Sequence, residues 1–408
     1  MLTVEEAQDQ ILRQFRQIES EDVPLPDALG RTLAADAVAH ESLPAFANSA
    51  MDGYAVRSAD LADASPERPR TLRLIGESAA GRRFEGMVEP GTAVRILTGA
   101  PVPEGADTVL QQELTRPAGE MIDMHAASPV GNNIRFPGED VKSGDVLAEM
   151  GSEIGPSEIA LFAALGVHPV RVTRRPRVAI LATGDELARL GTTPEPGQIR
   201  ESNSPYLAAA VARAGAEPIV LGIARDVEDD VRAKLAAANG MDLLLTSGGV
   251  SVGDYDLVKQ ILSEQGDVAF WRVRMKPGKP VAFGRLGDTP LLGLPGNPVS
   301  AAVTFELFGR PAIRTMLGSK HVFRPKIEVA VDGEPIARGD RRQYVRARLF
   351  ARGGMLSARP TGAQGSHIIS SLRGAAVLLI IPEGDGTIGR GEHVQALVLG
   401  DGIPTMES

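Results

Sequence analysis

The fold class this sequence predicts is a multidomain protein with an α/β domain at its centre and smaller β-rich domains around it. Three observations carry that expectation. Strand and helix patterns alternate between residues 177 and 317, short apolar runs cut by glycine and proline fill 45–138, and the chain from 325 to 400 reads mostly as strands. Such alternation argues a doubly wound, mostly parallel sheet sandwiched between helices. The expected division is 1–44 plus 139–176 as a discontinuous helical and extended region and 45–138 as a small β-rich domain. The α/β domain takes 177–324 and a β-barrel-like domain takes 325–408.

The elements follow in order. Thr3 with Glu6 fits a capping box, and Val4, Ala7, Ile11, Phe15 and Ile18 recur at helical spacing until Pro24, Pro26 and Gly30 break the pattern. Runs such as "TLRLIGESAAG", "TAVRILTGAPVPEGADTVLQQE" and "GNNIRFPGED" read as strands and turns. "GPSEIALFAALG" is helical again, closed by Gly166. "RVAILATG", "PIVLGIA" and "MDLLLTSGG" are buried-strand patterns, followed by the helices "SPYLAAAVARAG", "VEDDVRAKLAAANG" and "DYDLVKQILSEQG". "PLLGLPGNPVSAAVTFELF" repeats the unit, with Asn297 as N-cap and Pro298 at the first helical position. "IEVAV", "QYVRARLF" and "AAVLLIIP" supply the C-terminal strands.

Composition removes several function classes. Without cysteine there is no disulfide, thiolate catalysis or Cys-based metal site. A formal charge of -9 argues against broad binding to nucleic acid or an anionic membrane, since both need a cationic field. No stretch is long and apolar enough to span a bilayer, and "MLTVEEAQDQILRQF" lacks the pattern of a secretory signal, so a cytoplasmic protein is expected. The six histidines show no HxxxH or HExxH spacing, and no GxSxG elbow is present.

In open parallel sheets, ligands bind beyond the carboxyl ends of the strands. Three turns belong there: "ATGDEL" (182–187), "TSGGVSVGDYD" (246–256) and "LPGNPVSA" (294–301). Their glycines leave backbone N–H groups uncovered, which suits a phosphate, although each turn alone is equally well a tight strand-to-helix connection. The acids Asp185, Glu186, Asp226, Asp254 and Asp256 gather near the same rim. Carboxylates beside phosphates point to a hard divalent cation; for Asp254, helix capping explains the residue as well.

"WRVRMKPGKP" (271–280) is the clearest basic feature. On one strand of period two, Arg272, Arg274 and Lys276 share a face and Lys279 follows the turn, positioned for an oxyanion or for guarding a sheet edge. Asp52 in "SAMDGYAV" reads alone as a turn carboxylate. Ser366 and His367 sit in a Gly-flanked loop, where a lone histidine is more often structural than catalytic.

Taken together and in this order, "SAMDGYAV", "ILTGAPVPEGAD", "GED", "ATGDEL", "TSGGVSVGDYD", "KPGKP", "GLPGNPVSA" and "TGAQGSH" resemble the molybdopterin molybdenumtransferases. This is the MoeA family, to which the C-terminal domain of gephyrin is similar. The resemblance covers nearly the whole chain. It implies an enzyme of molybdenum cofactor biosynthesis that inserts molybdate into adenylylated molybdopterin and releases AMP with the help of Mg²⁺, with Zn²⁺ as the alternative. It also implies a homodimer held by an elongated helical and linker domain, its active site shared between the α/β domain and the partner's "SAMDGYA" domain. The adenylyltransferase that makes the substrate and proteins that deliver the cofactor to molybdoenzymes are the implied partners.

Carried over by motif, Asp52, Asp140, Glu186, Asp226 and Asp256 match the family's catalytic acids, with Asp254 as the alternative to Asp256. Asp226, Asp256 and Glu186 form the implied metal set. Thr98, Thr183, Gly184, Ser247, Gly248, Gly249, Ser251, Pro295, Gly296 and Asn297 match substrate-binding positions, as do Lys276, Lys279, Arg346 and Ser366. Ala363 stands where some relatives have histidine. Three other readings share the α/β unit: an adenylyltransferase of the MogA type, a scaffold like gephyrin and an amidase of the CinA type. The additional domains argue against the first, the flanking linker and partner domain expected of a fused scaffold have no counterpart here, and no amidase domain is read after residue 325, so the transferase is favoured.

Overall fold

The computed structural model describes residues 1–249, 260–261, 266–352, 354–400 and 405–406. Ser251, Asp254 and Asp256, with most of the helix expected over 254–266, lie outside the described residues.

Helix α1 (Val4–Leu12) opens with the expected capping box: the Thr3 hydroxyl accepts from Glu6 N at 3.1 Å, and the Glu6 carboxylate accepts from Thr3 N at 2.7 Å. Two of the otherwise orphaned donors at the helix start are thereby satisfied. Its buried face, Val4, Ala7 and Ile11, does not pack with 139–176. It joins Leu245, Phe305 and Ile313 in the core of the α/β region, and Gln8 Nε2 donates to Leu307 O at 2.9 Å. Residues after α1 do pair with the later segment. Ser20–Val23 runs antiparallel to Val170–Thr173, and Phe162 of α2 (Pro156–Ala164) is buried with Leu33 and Val172.

The region 45–138 holds a six-stranded sheet in which Gly53–Val56 lies between Thr92–Ile96 and Thr108–Gln111. Tyr54, Val56 and Leu110 are buried together beneath it.

In the α/β region, β1 (Arg177–Thr183), β2 (Glu217–Ala224), β3 (Leu243–Ser247), β4 (Gly266–Arg272), β5 (Met275–Lys276), β6 (Pro280–Leu286) and β7 (Thr289–Leu294) are the strands that matter. The sheet order is β2-β1-β3-β7-β6-β4; the first four are parallel, β6 runs antiparallel to β7, and β4 pairs antiparallel with β6. Alternation across the pleat decides the packing. Val178, Ile180, Leu243 and Leu245 face a core shared with α3 (Asn203–Ala214), α5 (Pro298–Thr304) and α6 (Arg310–Met316). Ala179, Leu181 and Leu244 face the opposite core, with Val231 and Leu235 of α4 (Glu228–Ala236).

The basic segment differs from expectation in one respect. Period two holds, with Val273 and Met275 buried and Arg272, Arg274 and Lys276 exposed, but the run is not one strand. β4 ends at Arg272, and β5 pairs with β8 (Arg342–Arg352) of the C-terminal sheet. Alternation reports which face is buried, not which sheet a residue joins.

In the C-terminal region β8 pairs with β9 (Met355–Pro360) and with Val377–Ile381. Lys326–Val331 and His393–Val398 complete the ring of pairings. No helix among the described residues is long and apolar enough to cross a membrane.

Candidate active site

β1, β3 and β7 end level with one another, Ala182 opposite Ser247 and Ser247 opposite Leu294. The turns that follow therefore meet on one rim. Gly248, at φ 93°, lies so close to β1 that a β-carbon there would stand 2.7 Å from Thr183 Oγ1 and 2.9 Å from Thr183 O. Gly296 faces Gly248 in turn, its position for a β-carbon 3.7 Å from Gly248 Cα. At Gly248 only glycine allows this approach to β1, whereas the Gly296 contact is of ordinary van der Waals length.

Above this rim is a cleft of ≈ 850 Å³. Of the predicted site residues, Thr183, Gly184, Glu186, Asp226, Ser247, Gly248, Gly249, Pro295, Gly296 and Asn297 line it. Asp185 reaches the same rim, but its Oδ1 is engaged, accepting from Asp226 N at 3.0 Å. It ties the turn after β2 to the turn after β1 and so fixes the backbone that carries the Asp226 carboxylate.

A second cleft of ≈ 370 Å³ adjoins the first, and Ser300 lines both. Lys276, Arg346 and Ser366 line it with Arg341 and Gln364. Arg346 is buried; its Nε donates to Ser371 Oγ at 3.1 Å and its Nη2 to Gly365 O at 3.3 Å. Desolvation pushes its guanidinium down to about 10. The first cleft thus carries Glu186, Glu201 and Asp226 with Arg200 as a cation among them, and the second carries Lys276, Arg341 and Arg346 and, among the described residues, no carboxylate. Lys279 lines neither; it is half-buried beyond the turn, where its carbonyl accepts from Val273 N at 2.8 Å.

Asp52, Thr98 and Asp140 are not brought to either cleft. Asp52 and Thr98 meet in the small β domain, and exposed Asp140 donates its N–H to Leu43 O at 3.0 Å.

Sequence reasoning missed several lining residues. Asn203 is the main one: buried at the start of α3, its Nδ2 donates to Ser247 Oγ and to Gly296 O, both at 2.7 Å. An asparagine at a helix start reads as a cap, and no sequence signal marks it as a bridge between two distant turns. Glu201, buried, accepts from Ser204 N at 2.8 Å, the capping role that asparagine would ordinarily take. His367, read as structural, reaches the first cleft from the C-terminal domain, where Val299 N donates to Ser366 O at 3.1 Å.

Three family models match in sequence order: the MoeA N-terminal region (domain I and II) over residues 2–166, a probable molybdopterin binding domain over 179–315 and the MoeA C-terminal region (domain IV) over 333–399. The molybdopterin molybdenumtransferase of Haemophilus influenzae is 37% identical over 404 residues, covering 97% of this chain and 98% of its own length. The molybdopterin molybdenumtransferase 2 of Mycobacterium tuberculosis is 40% identical over 402 residues, covering 97% and 99%. Among solved structures, a molybdopterin biosynthesis moeA protein from Pyrococcus horikoshii OT3 superposes with TM-score 0.84 at 32% identity, covering 98% of this chain and 100% of that one. Identity of this order along the whole length, with the same domains in the same order, makes the chain an enzyme of the molybdopterin molybdenumtransferase (MoeA) family.

Proposed function

We propose that the chain inserts molybdate into adenylylated molybdopterin and releases AMP, with a divalent cation bound beside the phosphates. The observation that carries this reading is the pair of adjoining clefts joined at Ser300, one lined by glycine turns and carboxylates with Arg200, the other by cations and, among the described residues, no carboxylate. A nucleotide's phosphates suit the first, where uncovered backbone and hydroxyls can donate. A tetrahedral oxyanion such as molybdate suits the second, where Arg346 and Lys276 supply charge.

The donor set fits Mg²⁺. Among the described residues no group of three or more His, Cys, Asp or Glu could hold a metal alone, while Glu186 and Asp226 line one cleft. Mg²⁺ takes one or two carboxylates and completes its shell with water and substrate phosphate. Bound there, it would neutralise charge on the phosphates as the phosphoanhydride opens. Asp226 and Glu186 would hold it, joined by Asp256 in the same reading. Thr183 and Ser247 would orient the phosphates with Gly248 and Gly249, and Pro295, Gly296 and Asn297 would close the far wall.

Asp52, Thr98 and Asp140 enter this reading through a second subunit. In a homodimer held through the region formed by 1–44 and 139–176, from which the buried face of α1 departs to pack on the α/β core, the partner's copies would complete the site. Ser251, Lys279 and Ser366 keep their substrate-binding roles in this reading. The adenylyltransferase supplying the substrate and proteins carrying the product to molybdoenzymes are its expected partners, in the cytoplasm.

The test is AMP release by the purified protein given adenylylated molybdopterin, molybdate and Mg²⁺. Release that requires molybdate and yields active cofactor is the expected result. Tight binding of the adenylate without turnover would leave a carrier instead.

A further inference from the structure

We infer that Asn203 is a positioning residue that sets the polarity of the Ser247 hydroxyl, making it a hydrogen-bond donor to an oxyanion in the first cleft. This rests on the reading of that cleft as a phosphate site. The geometry fixes the orientation of the amide. Gly296 O has only lone pairs to offer, so the group 2.7 Å from it must be the Asn203 NH₂. The same nitrogen lies 2.7 Å from Ser247 Oγ, and because it has no lone pair to give, Ser247 accepts there.

A hydroxyl whose acceptor side is taken must send its own proton elsewhere. Among the described residues, the Ser247 O–H has no acceptor in the protein, and Ser247 lines the cleft. An anion seated between the glycine turns would receive that proton. Asn203 itself is held in place: it is 9% exposed, and Glu201 caps its helix through Ser204 N. It also joins the last residue of β3 to the turn after β7, so the two walls of the cradle are kept at one separation.

The test uses the full-length protein with Mg²⁺ and two probes, inorganic pyrophosphate and AMP, with affinities measured by calorimetry for the parent, Asn203→Ala, Ser247→Ala and the double variant. Each single change is expected to weaken pyrophosphate binding about tenfold, the effect of losing one charge-assisted donor. The double variant is expected to be no more than about twofold weaker than the worse single one, since both remove the same donor. Asn203→Asp is expected to be at least as weak as Asn203→Ala, because its carboxylate would accept the Ser247 proton and repel Gly296 O. It also serves should the alanine variant fold poorly.

Losses that multiply in the double variant would overturn the inference, as would an Asn203→Ala protein that binds pyrophosphate like the parent. Parent protein that binds neither probe would overturn it too. Binding of pyrophosphate but not AMP, with the expected coupling, would sustain the role of Asn203 while removing the adenylate reading.

Discussion

Asp52 Oδ1 accepts both the backbone N–H and the hydroxyl of Thr98, each at 2.7 Å, binding "SAMDGYAV" to "ILTGAP" through one oxygen. These bonds, the backbone one first, hold the Asp52 carboxyl below its ordinary value. The stabilisation is therefore present above the unfolded value of ~3.9 and is lost as pH falls through the lowered folded value. An NMR titration should find Asp52 ionising below ordinary Asp, and Thr98→Val should move it upward. An ordinary Asp titration in the parent protein would mean the paired bonds are not kept in solution.

Gly248 and Gly240 both have positive φ, at 93° and 76°, but only Gly248 is enclosed. A β-carbon at Gly240 would meet open space, so Gly240→Ala should cost only backbone strain, on the order of 1 kcal/mol. Gly248→Ala must also push β1 and β3 apart at Thr183. Nucleotide affinity should fall at least tenfold in Gly248→Ala and stay unchanged in Gly240→Ala. Equal affinities in the two variants would remove Gly248 from the cradle.

At the other end of the same strands, Arg174 Nη1 and Nη2 donate to the two oxygens of Asp242 at 2.7 and 2.8 Å. Asp242 Oδ2 also accepts from Arg177 N at 2.6 Å, where β1 begins. Donating to Asp242 raises the Arg174 pKa further, against the effect of burial. Asp242→Ala should lower stability by about 2 kcal/mol, read as a reduced urea midpoint, because the arginine loses its bidentate partner. The cleft lies at the carboxyl ends, so AMP affinity should not change. A drop in affinity at constant stability would show that the strand ends are coupled.

The contrast between these sites explains what was legible in the sequence. Buried runs such as "RVAILAT" and "LLLTS" encode parallel strands because helices cover both faces, and the glycine turns encode positive φ. The three turns on one rim follow from those local facts. Asn203 did not, because its partners are 44 and 93 residues away and only the packed sheet brings them within 2.7 Å. The transfer of Met275 and Lys276 to another sheet was hidden for a similar reason: exposure alternates identically on either sheet. That α1 joins the α/β core was equally unreadable, since an amphipathic face does not name its partner.

Arg346 is a buried charge that no carboxylate among its described hydrogen-bond and ion-pair partners offsets, a cost that the proposed binding of an oxyanion in the second cleft would explain. It has two neutral acceptors, Ser371 Oγ and Gly365 O, and burial alone lowers its pKa to about 10. The sign is that of a base depressed by desolvation: charged Arg346 disfavours folding below that value, and the penalty is relieved only as pH rises above about 10. Replacing a buried charge with an apolar side chain of similar length is often neutral or stabilising. Arg346→Met should therefore melt no lower than the parent in the absence of ligand, while molybdate binding falls at least tenfold. Molybdate should raise the melting temperature of the parent and leave the variant unmoved. A variant that is destabilised yet still binds molybdate would assign Arg346 to the fold and leave the second cleft without its principal cation.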